Sequence, residues 1–204
     1  MRQIKLLHSG GNGVILSAPD SNPASDRTLK LPGDADGTIA TTATAGKILQ
    51  VVSTTKNDTA SVTNATYADI SGLTATITPS SASNKILISF VLQYGGHNNS
   101  YVAWKAYRGS TLLPVGTGTT SNATNASFGG FQEQSNSQYG VQTAVWQYLD
   151  SPNSTSALTY KLQWASVYQP GGNYYIYLNR PQNTDGNAYN IYGVSTVTAM
   201  EVAA

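Results

Sequence analysis

The side chains able to do chemistry in this 204-residue chain are few and scattered. There are two histidines, His8 and His97, ten carboxylates and no cysteine. Without thiols there can be no disulfide, no thiolate metal site and no cysteine nucleophile. His8 lies near the N-terminus, and His97 sits in GGHNN between two apolar runs. No HExxH, GxxxxGK[ST] or GxSxG pattern occurs. GGNG at 10–13 lacks the preceding strand and following helix of a phosphate loop, so it reads as a flexible turn. Asp34 and Asp36 in PGDADG offer two acids and some carbonyls, a weak calcium site that reads better as a polar turn. Glu133, Asp150 and Asp185 fall in or near separate turns. A glycoside hydrolase would need two such acids facing each other across a cleft. The expectation is a chain that is not an enzyme and takes neither cofactor nor metal.

Binding is better provided for. GGHNNSYVAW (95–104) and QPGGNYYIYLNR (169–180) set aromatic rings beside amides. Sugars are held that way, with ring faces stacked on aromatics and hydroxyls bonded to amides. Tyr and Asn are also adaptable contact residues in general. The candidate binding residues are Tyr94, His97, Asn98, Asn99, Tyr101, Asn173, Tyr174 and Tyr175. The same pattern has a plainer structural reading. Tyr175 and Tyr177 flank Ile176 and would simply share one face of a strand.

The elements that must carry these loops are strands. Candidates lie at 47–54, 60–67, 72–78, 85–94, 101–108, 111–116, 126–133, 140–149, 157–168, 174–179 and 190–202, separated by polar, Gly-rich or Pro-containing turns. No segment keeps helical periodicity for more than two turns. Short strands at this spacing predict a β-sandwich or jelly roll. Alternation within KILISFVLQY puts Ile86, Ile88, Phe90, Leu92 and Tyr94 on one face. With Leu158, Leu162 and Trp164, Ile86, Ile88 and Phe90 form the expected core. The opposite face of the same strand still carries Leu87 and Val91. A two-sheet sandwich buries one face of each sheet, and no helix is available to cover the other. Another copy of the chain is the simplest cover, and Leu87 and Val91 are the expected trimer-interface residues; the plainer reading is that they are exposed β-formers.

Charge and composition narrow the partners. Charged residues make up 10% of the chain and the net charge is +1. That balance speaks against nucleic acid, which requires clustered Lys and Arg. No apolar run approaches transmembrane length, so no membrane insertion is expected. MRQIKLLHSGG lacks the long apolar core and cleavage site of a secretory signal. Of the 11 basic and 10 acidic residues, eight fall within residues 1–36, along with Pro19, Pro23 and Pro32. GTIATTATAG (37–46) follows as a small, polar joint. The expected organisation is an N-terminal anchor and extended stem over 1–45, then a β head over 46–204. VILSAP and RTLKLP would be extended runs of the stem, and Ile4, Leu6 and Leu7 the anchoring residues.

The order of several motifs resembles a known family. GKILQVVSTTKNDT, YADISGLTATITPSSASNKILI, YLDSPNSTSALTYKLQW and the closing STVTAMEVA are similar to the C-terminal head of short bacteriophage fibre proteins, of the marine and cyanobacterial phage type. GVILSAPDSNPASDRTLKLPGDADGTI resembles the connector before such heads. The resemblance covers about residue 13 to the end. It implies a virion structural protein with a jelly-roll head, a homotrimer of tumour-necrosis-factor-like architecture, and a role in host attachment or in decorating the particle. It implies no enzyme activity and carries over no site residues. Fibres of this kind often have a longer N-terminal docking region than the dozen residues before this connector. The expected partners are further copies of the chain, phage tail or capsid proteins through the N-terminal segment, and host surface polysaccharide. A capsid decoration protein without receptor binding is the alternative, and a free carbohydrate-binding module a third.

Overall fold

The computed structural model describes residues 3–7, 13–17, 47–132, 137–168 and 174–204. Asn173, Glu133, His8, the RTLKLP run and PGDADG lie outside the described residues. The chain divides into two compact units, Met1–Ala45 and Gly46–Ala204.

In the first unit, strand β1 (Gln3–Leu7) pairs antiparallel with β2 (Gly13–Ser17). Ile4 stands opposite Leu16, Leu6 opposite Val14 and Leu7 opposite Gly13. β2 falls on the VILSAP run, whereas β1 falls on the segment read only as an anchor. Extended backbone must place its amides somewhere, and each run supplies the other's partner. A two-stranded pair of this length is marginal by itself.

The second unit contains β3 (Ile48–Lys56), β4 (Ala60–Val62), β5 (Ala68–Ile77), β6 (Lys85–Gly96), β7 (Ser100–Arg108), β8 (Thr111–Leu112), β9 (Phe128–Gln132), β10 (Gln142–Asp150), β11 (Leu158–Tyr168), β12 (Ile176–Leu178) and β13 (Ser195–Val202). A single 3-10 turn spans Ser137–Tyr139. β13 lies along Lys85–Val91 of β6, and β12 lies along Tyr94–Gly96 of the same strand. They are one strand interrupted by an excursion over residues 179–194. β3 and β4 flank them in the same broken fashion, and β8 and β9 both line β7. With each broken strand taken as one, the first sheet runs β3/β4, β12/β13, β6, β10, and the second runs β5, β11, β7, β8/β9. Along the chain this is order 1-8-3-6 facing order 2-7-4-5, with every ladder antiparallel. That is a jelly roll.

Several strands are shorter than their apolar patterns predict. The one expected over 60–67 ends at Val62, where Asn64 turns the chain: its Oδ1 accepts from Thr66 N at 3.0 Å. The one over 111–116 ends at Leu112, just before Pro114, which has no amide to donate. The run from 190 enters the sheet only at Ser195, because the preceding residues belong to the excursion.

The core lies between the sheets. Ile86, Ile88, Phe90, Leu162 and Trp164 are buried there, joined by Ile70, Leu73, Ile77, Leu92, Trp104 and Tyr160. Leu158, at the end of its strand, only packs against that core from a partly exposed position. Two polar ties cross it. Asp150 on β10 accepts from Arg108 Nη1 at 2.6 Å and from Tyr160 Oη at 2.7 Å, linking the first sheet to two strands of the second. Glu201 on β13 holds the turn that joins β5 to β6: its Oε1 accepts from Ser80 N, Ser80 Oγ and Asn84 Nδ2 at 2.6–2.7 Å.

The two ends of the jelly roll differ. One end receives the chain at Lys47, whose carbonyl accepts from Ala203 N at 2.8 Å, and also holds the 78–84 turn. The other end carries the C-terminal ends of β4, β6, β9 and β11.

Candidate functional site

At that second end the aromatic candidates come together because β6 and β12 pair there. Tyr177 stands opposite Gly95 and Ile176 opposite Gly96. His97 N donates to Tyr175 O at 3.0 Å, which closes the two strand ends on each other. The His97 ring stacks on Tyr175 (centroids 5.8 Å, 28°) and meets Tyr174 edge-on at 5.9 Å. Tyr175 stacks in turn on Tyr177 (5.7 Å, 6°), and the Arg180 guanidinium lies 3.7 Å above the Tyr177 ring. Burial lowers the His97 pKa, so the imidazole is neutral at pH 7. Burial raises that of Tyr177, with Arg180 pulling the other way. Gly95 makes the arrangement possible. A Cβ there would stand 2.6 Å from Arg180 O.

Asn98 and Asn99 share the turn beside His97. Asn99 has φ 60°, a left-handed conformation that Asn tolerates, and its N donates to Gln132 O at 2.9 Å. Ser100 Oγ bonds His97 O at 2.6 Å and fixes the turn from below. Tyr101 points to the outer face of the second sheet, where its ring packs at a tilt against Phe131 at 4.5 Å. Tyr94 is not a loop residue. It is 4% exposed, packs edge-on to Trp104 at 5.1 Å and donates to Gln142 Oε1 at 2.6 Å. Strand alternation, which aims Tyr94 inward with Phe90 and Leu92, overrides its place beside a loop. Sequence reasoning missed Arg180 and Phe131. Arg180 reaches Tyr177 only because the chain reverses at Asn179 (φ 63°), and Phe131 meets Tyr101 only through strand register.

Leu87 and Val91 lie on the outer face of the first sheet, both half-buried in the single chain. Register arranges that face in rows. Val51, Met200, Leu87 and Leu149 form an apolar row across the sheet. Ser53, Thr198, Ser89 and Gln147 form a polar row, bonded at 3.0 Å between Ser53 and Thr198 and at 3.3 Å between Gln147 and Ser89. Thr55, Thr196, Val91 and Val145 form the next. Val51 and Val145 are both 56% exposed. The excursion from this sheet adds exposed Tyr189, Ile191, Tyr192 and Val194. Among the described residues of the second sheet, the exposed large apolar side chains are Tyr101 and Leu112.

Among the described residues the acids are held apart in separate structural ties. The Asp150 carboxylate is engaged by Arg108 and Tyr160 in the interior. Asp185 accepts from Asn190 Nδ2 at 2.6 Å and Asn187 N at 3.2 Å within the exposed excursion. Among the described residues no three His, Cys, Asp or Glu side chains cluster as metal ligands.

No protein-family model and no curated protein matches the chain. Among solved structures it is similar to the infectious bursal disease virus Gt strain structure, at 14% identity and a TM-score of 0.38, over 95% of this chain and 50% of that one. The VP2 subviral particle of the same virus gives 12% identity and a TM-score of 0.36, over 93% and 50%. The tripod from the baseplate of bacteriophage Tuc2009 gives 11% identity and a TM-score of 0.23, over 94% and 84%. The chain spans about half the length of the viral chains it matches. The jelly-roll assignment rests on the strand order itself.

Proposed function

We propose that this chain is a virion structural protein, a homotrimeric short phage fibre. Its N-terminal segment, with Ile4, Leu6 and Leu7, mounts it on the particle, and its jelly-roll head meets the host surface. The observation that carries this reading is the one-sided distribution of exposed apolar side chains on the head. Rows built on Val51, Leu87 and Leu149, and on Val91 and Val145, lie on the outer face of the first sheet, where no described strand packs over them. Among the strand residues on this face Lys85, at the end of β6, is the charged one, and Arg180 lies over Tyr177 at the opposite end. A neutral, ridged surface of this kind suits contact with identical copies, since like faces meet without like charges. The polarity of the head supports the same reading. The chain enters at Lys47, and the His97 and Tyr175 loops lie at the far end, where an anchored head would present them outward. The order of the sequence motifs, which resembles phage fibre heads, supports the virion setting.

Immunogold labelling of intact particles with an antibody against the head tests the virion reading, and label confined to one particle structure is expected. Absence of label from every particle would overturn it. Sedimentation equilibrium tests the assembly. The full chain is expected at three times its own mass, and Val145→Asp, on an exposed position, is expected to be a folded monomer. A monomeric wild type at micromolar concentration would overturn the trimer.

A further inference from the structure

We propose that the outer face of the second sheet carries a groove for a neutral sugar ring, separate from the aromatic stack at the loop end. This rests on the reading of the head as the part that meets the host surface, and it names the ligand class and the place. A cleft of about 660 Å³ opens there. Its floor is made of small apolar residues: Ala103 pairs with Gly129 across β7 and β9, with Val167 alongside. One wall is the Tyr101 ring, 41% exposed, held by the Phe131 ring at 4.5 Å and 31° as its cross-strand partner. The facing wall is the excursion between β8 and β9. Its two legs are joined by Gly116 N to Ala126 O at 2.9 Å and Gly118 N to Asn125 Oδ1 at 2.7 Å. That bond occupies the oxygen of the Asn125 amide and leaves its NH2 for an incoming acceptor, with the Thr117 and Thr124 hydroxyls on the same rim.

The chemistry selects the ligand. None of the described residues lining the cleft is charged. An ionised group would find no ion-pair partner among them. A flat aromatic wall over a floor of small apolar residues admits a ring lying on its C–H face. Hydroxyl and amide groups at the rim then suit its outward hydroxyls. The loop-end stack offers less. Tyr175 is already stacked by both His97 and Tyr177, and Tyr177 is covered by Arg180. The uncharged cleft, with an aromatic wall fixed in place, is the better receptor for a polyhydroxylated neutral ligand.

Affinity electrophoresis of the full chain through gels holding dextran, galactomannan or hydroxyethyl cellulose tests this, with heparin as an anionic contrast. Retardation by at least one neutral polymer and none by heparin is expected. Tyr101→Ala should raise the dissociation constant about tenfold or more. Thr117→Trp, on an exposed loop, should block the cleft with the same effect, and Leu112→Ala, exposed on the same sheet outside the cleft, should leave binding unchanged. No retardation by any neutral polymer, retardation by heparin alone, or unaltered binding by Tyr101→Ala and Thr117→Trp would each overturn the groove. Particles carrying Tyr101→Ala separate this from the attachment reading. Lost sugar binding with full adsorption leaves the groove standing and removes its part in attachment. Intact sugar binding by both cleft variants removes the groove and leaves attachment to other surfaces of the head.

Discussion

Neutralising one buried carboxylate should loosen the end of the head that receives the chain at Lys47. Glu201 is 1% exposed. Its Oε1 accepts from Asn84 Nδ2 at 2.6 Å and from Ser80 N and Oγ at 2.7 Å, and its Oε2 accepts from Gln50 Nε2 at 2.7 Å. Burial by itself would raise its pKa, but these donors from Asn84, Ser80 and Gln50 outweigh that and hold it at about 2, against an ordinary 4.5. Glu201→Gln keeps the shape and one acceptor oxygen. It sets a new NH2 against that of Gln50 and turns three charge-assisted bonds into neutral ones. A charged hydrogen bond contributes about 1.5–3 kcal/mol and a neutral one about 0.5–1.5 kcal/mol. The expected loss is therefore roughly 3 kcal/mol, or a fall in Tm of about 6–12 °C for a chain of this size. Differential scanning calorimetry at one fixed protomer concentration measures it. The pH dependence supplies a second check. The folded pKa lies below the unfolded one, so the unfolded chain takes up the proton first as pH falls. The stabilisation is complete above about 4.5 and is lost as pH drops through about 2. The difference between wild type and variant should shrink over that window. A Tm within about 2 °C of wild type at pH 7, or a difference that stays constant down to the acid end, would refute the reasoning.

Arg108→Met leaves Asp150, 5% exposed, with Tyr160 Oη as its remaining donor. A cost of roughly 3 kcal/mol is expected, partly recovered by adding Asp150→Asn, as urea denaturation of the single and double variants will read. Gly130→Ala would bring a Cβ to 2.5 Å from Tyr94 Oη and disturb its bond to Gln142. A loss of about 1–3 kcal/mol should appear in the same assay. Asn99→Val places a β-branched side chain at φ 60° and should cost about 1–2 kcal/mol. Asn99→Gly should stay within about 0.5 kcal/mol of wild type, so equal denaturation midpoints for Val and Gly would show that backbone conformation is not what the position selects.

Period-two alternation made most of the fold legible in the sequence. KILISFVLQY declared its core face in advance, and Ile86, Ile88, Phe90 and Leu92 are all buried. Absence of helical periodicity and of catalytic motifs followed from residue types alone. Strand ends were less legible, because they depend on side chains that turn the chain, as Asn64 does, or on an excursion such as 179–194 that splits one strand into two. The candidate site was half visible. Tyr174, Tyr175 and His97 could be named as loop aromatics, but nothing in their spacing says that Arg180 covers the same stack or that Tyr94 points inward.

What the sequence by itself determined is the binary pattern: which residues seek the interior, where turns fall, and that charged side chains are sparse. Those are local properties, written in side-chain chemistry at intervals of one or two residues. Only the tertiary structure decided which strands are neighbours, and with that everything that depends on register. Val51, Met200, Leu87 and Leu149 come from four separate segments and become one apolar row when β3, β13, β6 and β10 lie side by side. Tyr101 and Phe131 stand 30 positions apart and become one wall through a single pairing of β7 with β9. A jelly roll joins strands distant in sequence, so its faces and grooves are products of long-range pairing that no local pattern encodes.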